Sequence, residues 1–121
     1  MQILILDDDE KRQEAFAKRF RDHDIKHALN STQAIEAFSH ALDAYDLVYL
    51  DHDLEEKVND PYPSEITGDD VARWMCEQLP VHKRPGRVII HSWNPDGARR
   101  MGNRLRDAGF RVMLDPFKVS E

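Results

Sequence analysis

Four aspartates stand where two short apolar runs of the sequence end. Asp7 and Asp8 follow the run ILIL, and Asp51 and Asp53 follow the run LVYL. Carboxylates within a few ångströms of one another repel, so such a group takes up protons, recruits cations or binds a hard metal ion. We expect Asp7, Asp8 and Asp51 to bind a divalent cation, Mg²⁺ in the first place, with Mn²⁺ or Ca²⁺ as alternatives. The competing interpretation is that residues 7–10 only cap a helix, at whose N-terminus negative charge is favourable.

Two histidines lie in similar stretches of the sequence. His52 directly follows Asp51, and His91 ends the apolar run at 88–90. Histidine changes its charge near neutral pH, which suits it to donate or accept a proton in catalysis. We therefore expect His91 and His52 to face the same cleft as the aspartates. For His52, a loop position that points to solvent is the alternative.

A third group of candidate residues surrounds a predicted helix start. Asn94 followed by Pro95 is typical of a helix N-terminus, because the asparagine caps free N–H groups and proline has no N–H that needs a partner. Free N–H groups at such a terminus favour phosphate, so Asn94, Gly97 and Arg99 are candidates for phosphate binding. Adjacent Arg99 and Arg100 cannot point to the same place, and we expect at most one of them to reach the site. A role for Asn94 as a cap alone is the alternative.

These residues come together if strands and helices alternate along the chain. Short apolar runs alternate with amphipathic stretches, which is typical of βαβ units around a parallel sheet whose strand ends form the ligand site. We predict a flavodoxin-like α/β fold with strand order 2-1-3-4-5 and no last helix, since only seven residues follow the fifth strand. The predicted strands cover residues 3–6, 25–29, 46–50, 88–91 and 110–114, and the predicted helices cover about 10–22, 31–42, 67–79 and 94–108.

Length and composition restrict the class of protein further. The 121 residues fit one domain, residues 1–121, with a lid-like loop at about 55–66 that contains two prolines and four acidic residues. The formal charge of −6 argues against an extended nucleic-acid-binding surface. No apolar run approaches the roughly 20 residues that span a bilayer, and no signal peptide is visible, so we expect no membrane partner and a cytoplasmic location. The single cysteine, Cys76, is expected to be a buried structural thiol.

The motifs ILILDDD and DLVYLD resemble the first strand and the phosphoacceptor strand of response-regulator receivers, and the order of elements agrees over nearly the whole chain. The resemblance implies that Asp7 and Asp8 are the metal-binding acidic pair and that Asp51 is the phosphoacceptor. It also implies that Ser92 is the small hydroxyl residue after the fourth strand. Receivers carry a lysine before proline and phenylalanine, but this sequence has Asp115 in the stretch LDPF. An ordinary phosphorelay role is therefore in doubt.

Three further stretches are similar to a narrower group, the cyclic-phosphate-processing receiver domains. They are LDHDL at 50–54, TGDDVARWM at 67–75 and HSWNPDGARRM at 91–101. This resemblance implies a phosphoesterase or phosphodiesterase that acts on a cyclic or terminal phosphate, with a histidine in place of the missing lysine. The expected substrate is a phosphorylated small molecule, such as a nucleotide, or an RNA end.

The predicted catalytic residues are Asp51, His52 and His91. We expect His91 to exchange a proton with the attacking or leaving oxygen, and His52 to serve as a second proton-transfer group. In a variant of this mechanism Asp51 is the nucleophile and forms an acyl phosphate. Two other classes remain open: a catalytically inactive receiver-like protein-interaction module and an atypical response regulator phosphorylated on Asp51. A homodimer is also expected, since a missing last helix leaves apolar sheet surface near the first and fifth strands.

Overall fold

The fold is described by a computed structural model that covers residues 1–51, 68–91 and 95–115. The lid-like loop predicted at 55–66 lies outside the described residues. No helix of the described residues is long and apolar enough to cross a membrane.

A parallel sheet of five strands, in the order β2-β1-β3-β4-β5, forms the centre of the fold. The predicted strand order is thereby confirmed. Strands β1 and β3 are neighbours, so the chain leaves them at adjacent points of one sheet edge, where the strand order reverses. The strands are β1 (Gln2–Leu6), β2 (Asp24–Ala28), β3 (Leu47–Asp51), β4 (Arg87–His91) and β5 (Val112–Leu114).

Helices cover both faces of the sheet. In the described part of the chain they are α1 (Glu10–Arg19), α2 (Ser31–His40), α3 (Gly68–Gln78) and α4 (Pro95–Asp107), with a short 3₁₀ helix at Val81–Lys83. Helices α2, α3 and α4 bury their apolar stripes against one face and form the larger core. On the other face, α1 contributes Phe16 to a smaller core with Ile3, Ile5, Tyr49 and Ile89. The alternation of side chains along each strand thus supplies two cores.

The first two helices end earlier in the structure than the sequence predicts. Helix α1 ends at Arg19 rather than residue 22, because the chain turns there toward β2. Helix α2 ends at His40, and Leu42, which the spacing assigned to its apolar stripe, is 92% exposed. Ala41 has already left the helical conformation, so the periodicity no longer determines which residues are buried.

The end of α4 has the structure that its glycine predicts. Gly109 has a φ of +99°, a conformation that glycine adopts without strain. Its N–H donates to the carbonyl of Arg106, and the N–H of Phe110 donates to the carbonyl of Leu105. These two bonds form a Schellman motif, which ends the helix and delays β5 until Val112 rather than residue 110.

The apolar surface expected near the first and fifth strands is small within the described residues. Ile3 and Ile5 of β1 are fully buried, because α1 covers them, and Met1 before the strand is 57% exposed. Met113 and Leu114 of β5 are 48% and 41% exposed and point to opposite faces of the sheet. A homodimer that uses this surface stays a prediction from the sequence.

Cys76 is only partly buried, which corrects the expectation of a fully buried thiol. Its Sγ lies 3.8 Å from the carbonyl oxygen of Arg104, between α3 and α4. Burial raises the pKa of this thiol, which lowers its reactivity and is consistent with a structural role.

Candidate functional site

The ends of β1, β3 and β4 bring together three polar side chains that are almost completely buried. Asp7, Asp51 and His91 are 0%, 3% and 2% exposed. The β3–β4 register places Asp51 directly beside His91, and Asp7 follows the last residue of β1. One ligand atom from each of the three lies within 4.8 Å of the others. The structure therefore groups these three predicted site residues at one point of the sheet edge.

Both carboxylate oxygens of Asp7 accept hydrogen bonds from the protein. Oδ1 accepts from the backbone N–H of Asp9 at 2.9 Å and from Nη2 of Arg12 at 2.8 Å. Oδ2 accepts from Nε of Arg12 at 2.7 Å and lies 3.1 Å from Nε2 of His91. Burial raises the pKa of Asp7, but its bonds with His91, Arg12 and Asp9 lower it by more, and the pKa lies below its ordinary value. Asp7 is therefore held ionised.

Arg12 belongs to the site, although no motif of the sequence indicated it. It lies in the first turn of α1, one turn after Asp8, and its guanidinium binds Asp7 through two parallel N–H···O bonds. The hydrogen bond to Asp7 raises the pKa of Arg12 above its ordinary value, although burial of the guanidinium lowers it. A cation of the protein thus compensates part of the negative charge that was expected to recruit metal.

Asp9 is the residue that caps helix α1. Its side chain accepts hydrogen bonds from the N–H groups of Lys11 and Arg12. The competing interpretation, in which residues 7–10 serve only as a cap, therefore applies to Asp9. The carboxylate of Asp7 faces Arg12 and His91 instead.

His91 lies between Asp7 and two aromatic rings. Its ring centroid is 5.4 Å from that of Phe16 on α1 and 5.8 Å from that of Tyr49 on β3. Apolar neighbours on the faces of the ring and a carboxylate at Nε2 fix its orientation. An imidazole held in a fixed orientation is suited to transfer a proton in catalysis.

Gln13 is a second site residue that no motif of the sequence indicated. Its buried amide nitrogen lies 3.1, 3.0 and 3.1 Å from the carbonyl oxygens of Ile5, Asp7 and Ala28, and these three acceptors share its two N–H donors. The amide oxygen faces Nδ1 of His27, which must therefore donate its proton. Gln13 joins the ends of β1 and β2 and fixes the backbone of Asp7.

Of the six remaining predicted site residues, three lie within the described residues and three lie outside them. Asp8 is mostly buried, and its Oδ1 lies 3.7 Å from Nη2 of Arg12. Gly97 is buried in the first turn of α4, but the side chain of Arg99 is 65% exposed and pairs with Asp96 at 3.8 Å. The described residues give Arg99 no contact with the acidic cluster, because this ion pair along α4 directs it to solvent. The others, His52, Ser92 and Asn94, lie outside the described residues, and their roles stay predictions.

The donor atoms of the site fit a hard divalent cation. Asp7 and Asp51 offer carboxylate oxygens, the ligands that Mg²⁺ and Ca²⁺ prefer, and His91 offers an imidazole nitrogen within the same 4.8 Å. Such an ion would have to compete with the guanidinium of Arg12, which binds both carboxylate oxygens of Asp7.

The pKa of Asp7 predicts how acid affects stability. In the folded protein it lies below 3.8, the ordinary value, so ionised Asp7 stabilises the fold above that pH. The contribution is lost as the pH falls through the folded pKa. Asp7→Asn is therefore expected to lower the free energy of unfolding near neutral pH, and this difference should shrink in acid. Urea unfolding of both proteins in chelator, from about pH 7 to about pH 3, measures it.

Asp43→Asn is the matched control, since Asp43 is exposed. Its effect should be small at every pH. A difference between wild type and Asp7→Asn that stays constant over the whole range would contradict the low pKa of Asp7.

Comparison with known proteins identifies the family. Residues 2–107 match the family described as the cyclic-phosphate processing receiver domain. No curated protein matches the chain. This family match covers the strand ends, the first turn of α1 and almost all of the described residues.

Solved receiver structures share the fold. A CheY-like receiver domain from Methylobacillus flagellatus is 18% identical, with a TM-score of 0.68 over 99% of this chain and 90% of that one. TrrA from Thermotoga maritima, solved with Mg²⁺ and BeF, is 21% identical, with a TM-score of 0.66 over 97% and 88%. The response regulator 1452 receiver domain of Francisella is 18% identical, with a TM-score of 0.64 over 98% and 87%. The resemblance found in the sequence is confirmed: the chain has the receiver fold and belongs to the family of cyclic-phosphate processing receiver domains.

Proposed function

We propose that this protein is a metal-assisted phosphoesterase that cleaves a cyclic or terminal phosphate of a nucleotide or an RNA end. The observation that carries the proposal is the buried group of Asp7, Asp51 and His91 at the switch point of the sheet. Two carboxylates and an imidazole supply both of the functions that phosphoester hydrolysis needs, binding of a cation and transfer of a proton. The family name, which refers to cyclic phosphates, supports this substrate class.

In the proposed mechanism, Asp7, Asp8 and Asp51 hold the cation. When bound, a divalent cation polarises a phosphoryl oxygen and offsets negative charge on the phosphate. Mg²⁺ is the first choice, since TrrA was solved with it, and Mn²⁺ and Ca²⁺ are alternatives.

His91 supplies the proton transfer in this mechanism. It exchanges a proton with the attacking or leaving oxygen, and the contact of Nε2 with Oδ2 of Asp7 at 3.1 Å orients the ring. His52 serves as the second proton-transfer group. Ser92, Asn94 and Gly97 bind phosphate oxygens.

The position of Asp115 argues against phosphorelay. Its backbone N–H donates to the carbonyl of Ile90 at 2.9 Å, so Asp115 follows β5 at the same sheet edge. Receivers carry a lysine at this point of the motif, and a carboxylate cannot supply the positive charge that stabilises a phosphorylated aspartate.

A substrate screen with the whole chain tests the proposal. We expect hydrolysis of a 2′,3′-cyclic nucleotide or a terminal phosphate that requires Mg²⁺, Mn²⁺ or Ca²⁺ and stops in chelator. His91→Asn should lower kcat/KM about a hundredfold, since proton transfer is lost. The matched control is His82→Asn, because His82 is exposed on the 3₁₀ helix.

Two other outcomes would point to the other classes. A stable acyl phosphate on Asp51 after treatment with acetyl phosphate would indicate a response regulator. The absence of both hydrolysis and acyl phosphate, with all three cations, would indicate a protein-interaction module.

A further inference from the structure

We propose that Arg12 is an internal counter-cation that occupies the acidic cluster in place of a divalent metal, and that metal binds only when the guanidinium leaves Asp7. The inference rests on the proposed function in so far as that function requires a metal. The competition between Arg12 and metal is a separate property, and it is measured by binding rather than by turnover.

A single nitrogen atom of Arg12 faces all three carboxylates predicted as metal ligands. Nη2 lies 2.8 Å from Oδ1 of Asp7, 3.4 Å from Oδ2 of Asp51 and 3.7 Å from Oδ1 of Asp8. The other end of the guanidinium adds Nε at 2.7 Å from Asp7 and Nη1 at 3.5 Å from Asp9. The guanidinium therefore occupies the position that a metal ion bound by all three carboxylates would need.

Metal and guanidinium require the same atoms. Arg12 binds both oxygens of Asp7, and Asp7 also belongs to the group whose ligand atoms lie within 4.8 Å. If the arginine remains in place, its positive charge repels an incoming metal ion. Both oxygens of Asp7 then already accept hydrogen bonds from Arg12. The two cations therefore exclude one another.

Charge explains why the cluster keeps an arginine. Four carboxylates, those of Asp7, Asp8, Asp9 and Asp51, lie around one guanidinium. Without any cation their mutual repulsion, in a site that is mostly shielded from water, would oppose folding. Arg12 thus stabilises the metal-free protein and, by the same contacts, weakens its affinity for metal.

Arg12 is able to leave without disturbing the helix that carries it. The start of α1 is held by the side chain of Asp9, which accepts from the backbone N–H groups of Lys11 and Arg12. The guanidinium stands at the end of a flexible stem and retains some exposure. Its displacement breaks the contacts of the guanidinium and leaves the backbone cap of α1 in place.

The test is a Mg²⁺ titration of the whole chain by calorimetry, repeated with Mn²⁺. Arg12→Met should bind the ion about ten- to a hundredfold more tightly than wild type, because removal of a charge-assisted pair is worth about that factor. In chelator the same variant should unfold at a lower urea concentration than wild type, and saturating Mg²⁺ should remove the difference. If Arg12→Met does not fold, the same titration is made with Arg12→Gln.

Lys11→Met is the matched control, because it removes the same charge from an exposed position in the same helical turn. Its affinity for Mg²⁺ should change far less than that of Arg12→Met. Equal or weaker binding by Arg12→Met would overturn the inference and leave the proposed function standing. If neither wild type nor variant binds any of the ions, both the inference and the metal-assisted function are wrong.

Discussion

Asp51→Asn is expected to lower kcat/KM for phosphoester hydrolysis about a thousandfold or more and to leave the protein folded. Asp51 is buried at the end of β3, and its Oδ2 lies 3.4 Å from Nη2 of Arg12. Both versions of the mechanism require its charge: as a metal ligand it holds the cation, and as a nucleophile it attacks phosphorus. Asparagine keeps the size of the side chain, removes the nucleophile and leaves the cation only an uncharged amide oxygen.

The same substitution should not reduce stability. Asp51 is one of four carboxylates around a single guanidinium, so an uncharged residue relieves repulsion in the metal-free protein. The midpoint of urea unfolding in chelator should therefore equal or exceed that of wild type. Asp43→Asn, at an exposed position, should leave both activity and midpoint unchanged. An Asp51→Asn protein with more than a tenth of the wild-type activity would exclude Asp51 from the mechanism.

Gln13→Glu is expected to destabilise the protein by about 3 kcal/mol or more. The two N–H donors of the Gln13 amide are shared by three backbone carbonyls, and the substitution replaces the amide nitrogen with a carboxylate oxygen of nearly the same size. The new oxygen faces three acceptors in a buried place. The free energy of unfolding, obtained from urea titration near neutral pH, gives the magnitude.

Gln33→Glu is a matched control for this substitution. The side-chain oxygen of Gln33 accepts from the N–H of Leu29 at 2.8 Å in an exposed position, and glutamate keeps that acceptor. The same chemical change should therefore have little effect there. Comparable losses in the two variants would show that the donor contacts of Gln13 contribute nothing special to the fold.

The sequence was sufficient to predict the strand order and the convergence of Asp7 and Asp51. Alternating apolar runs and amphipathic stretches define βαβ units, and the geometry of a parallel sheet then brings the strand ends to one edge. Neither step requires knowledge of individual side-chain conformations. For this reason the prediction held although the ends of α1 and α2 were wrong by a few residues.

Arg12 and Gln13 could not be recognised by the same reasoning. Periodicity indicates which side chains of a helix are apolar and face the core, but both of these residues are polar and sit at the end of that stripe. Their contacts depend on how the first turn of α1 lies over the end of β1. Their position in the sequence was the available signal. Arg12 and Gln13 lie in the helical turn that directly follows the acidic end of β1.

The face on which His91 lies was accessible from the sequence. Side chains alternate along a strand, so His91 shares a face with Ile89, while Val88 and Ile90 point to the opposite core. This alternation places His91 under α1, against Phe16, rather than in an open cleft. Its burial follows from the same pattern that identified the strand.

Helix α1 links the smaller core to the chemistry of the site. It supplies Phe16, which covers His91, and also Arg12 and Gln13, which hold Asp7. Among the described helices, α1 is the only one that packs on this face of the sheet. An excursion of α1 away from the sheet would therefore uncover His91, release Asp7 and expose the backbone amides of the helix in a single cooperative event.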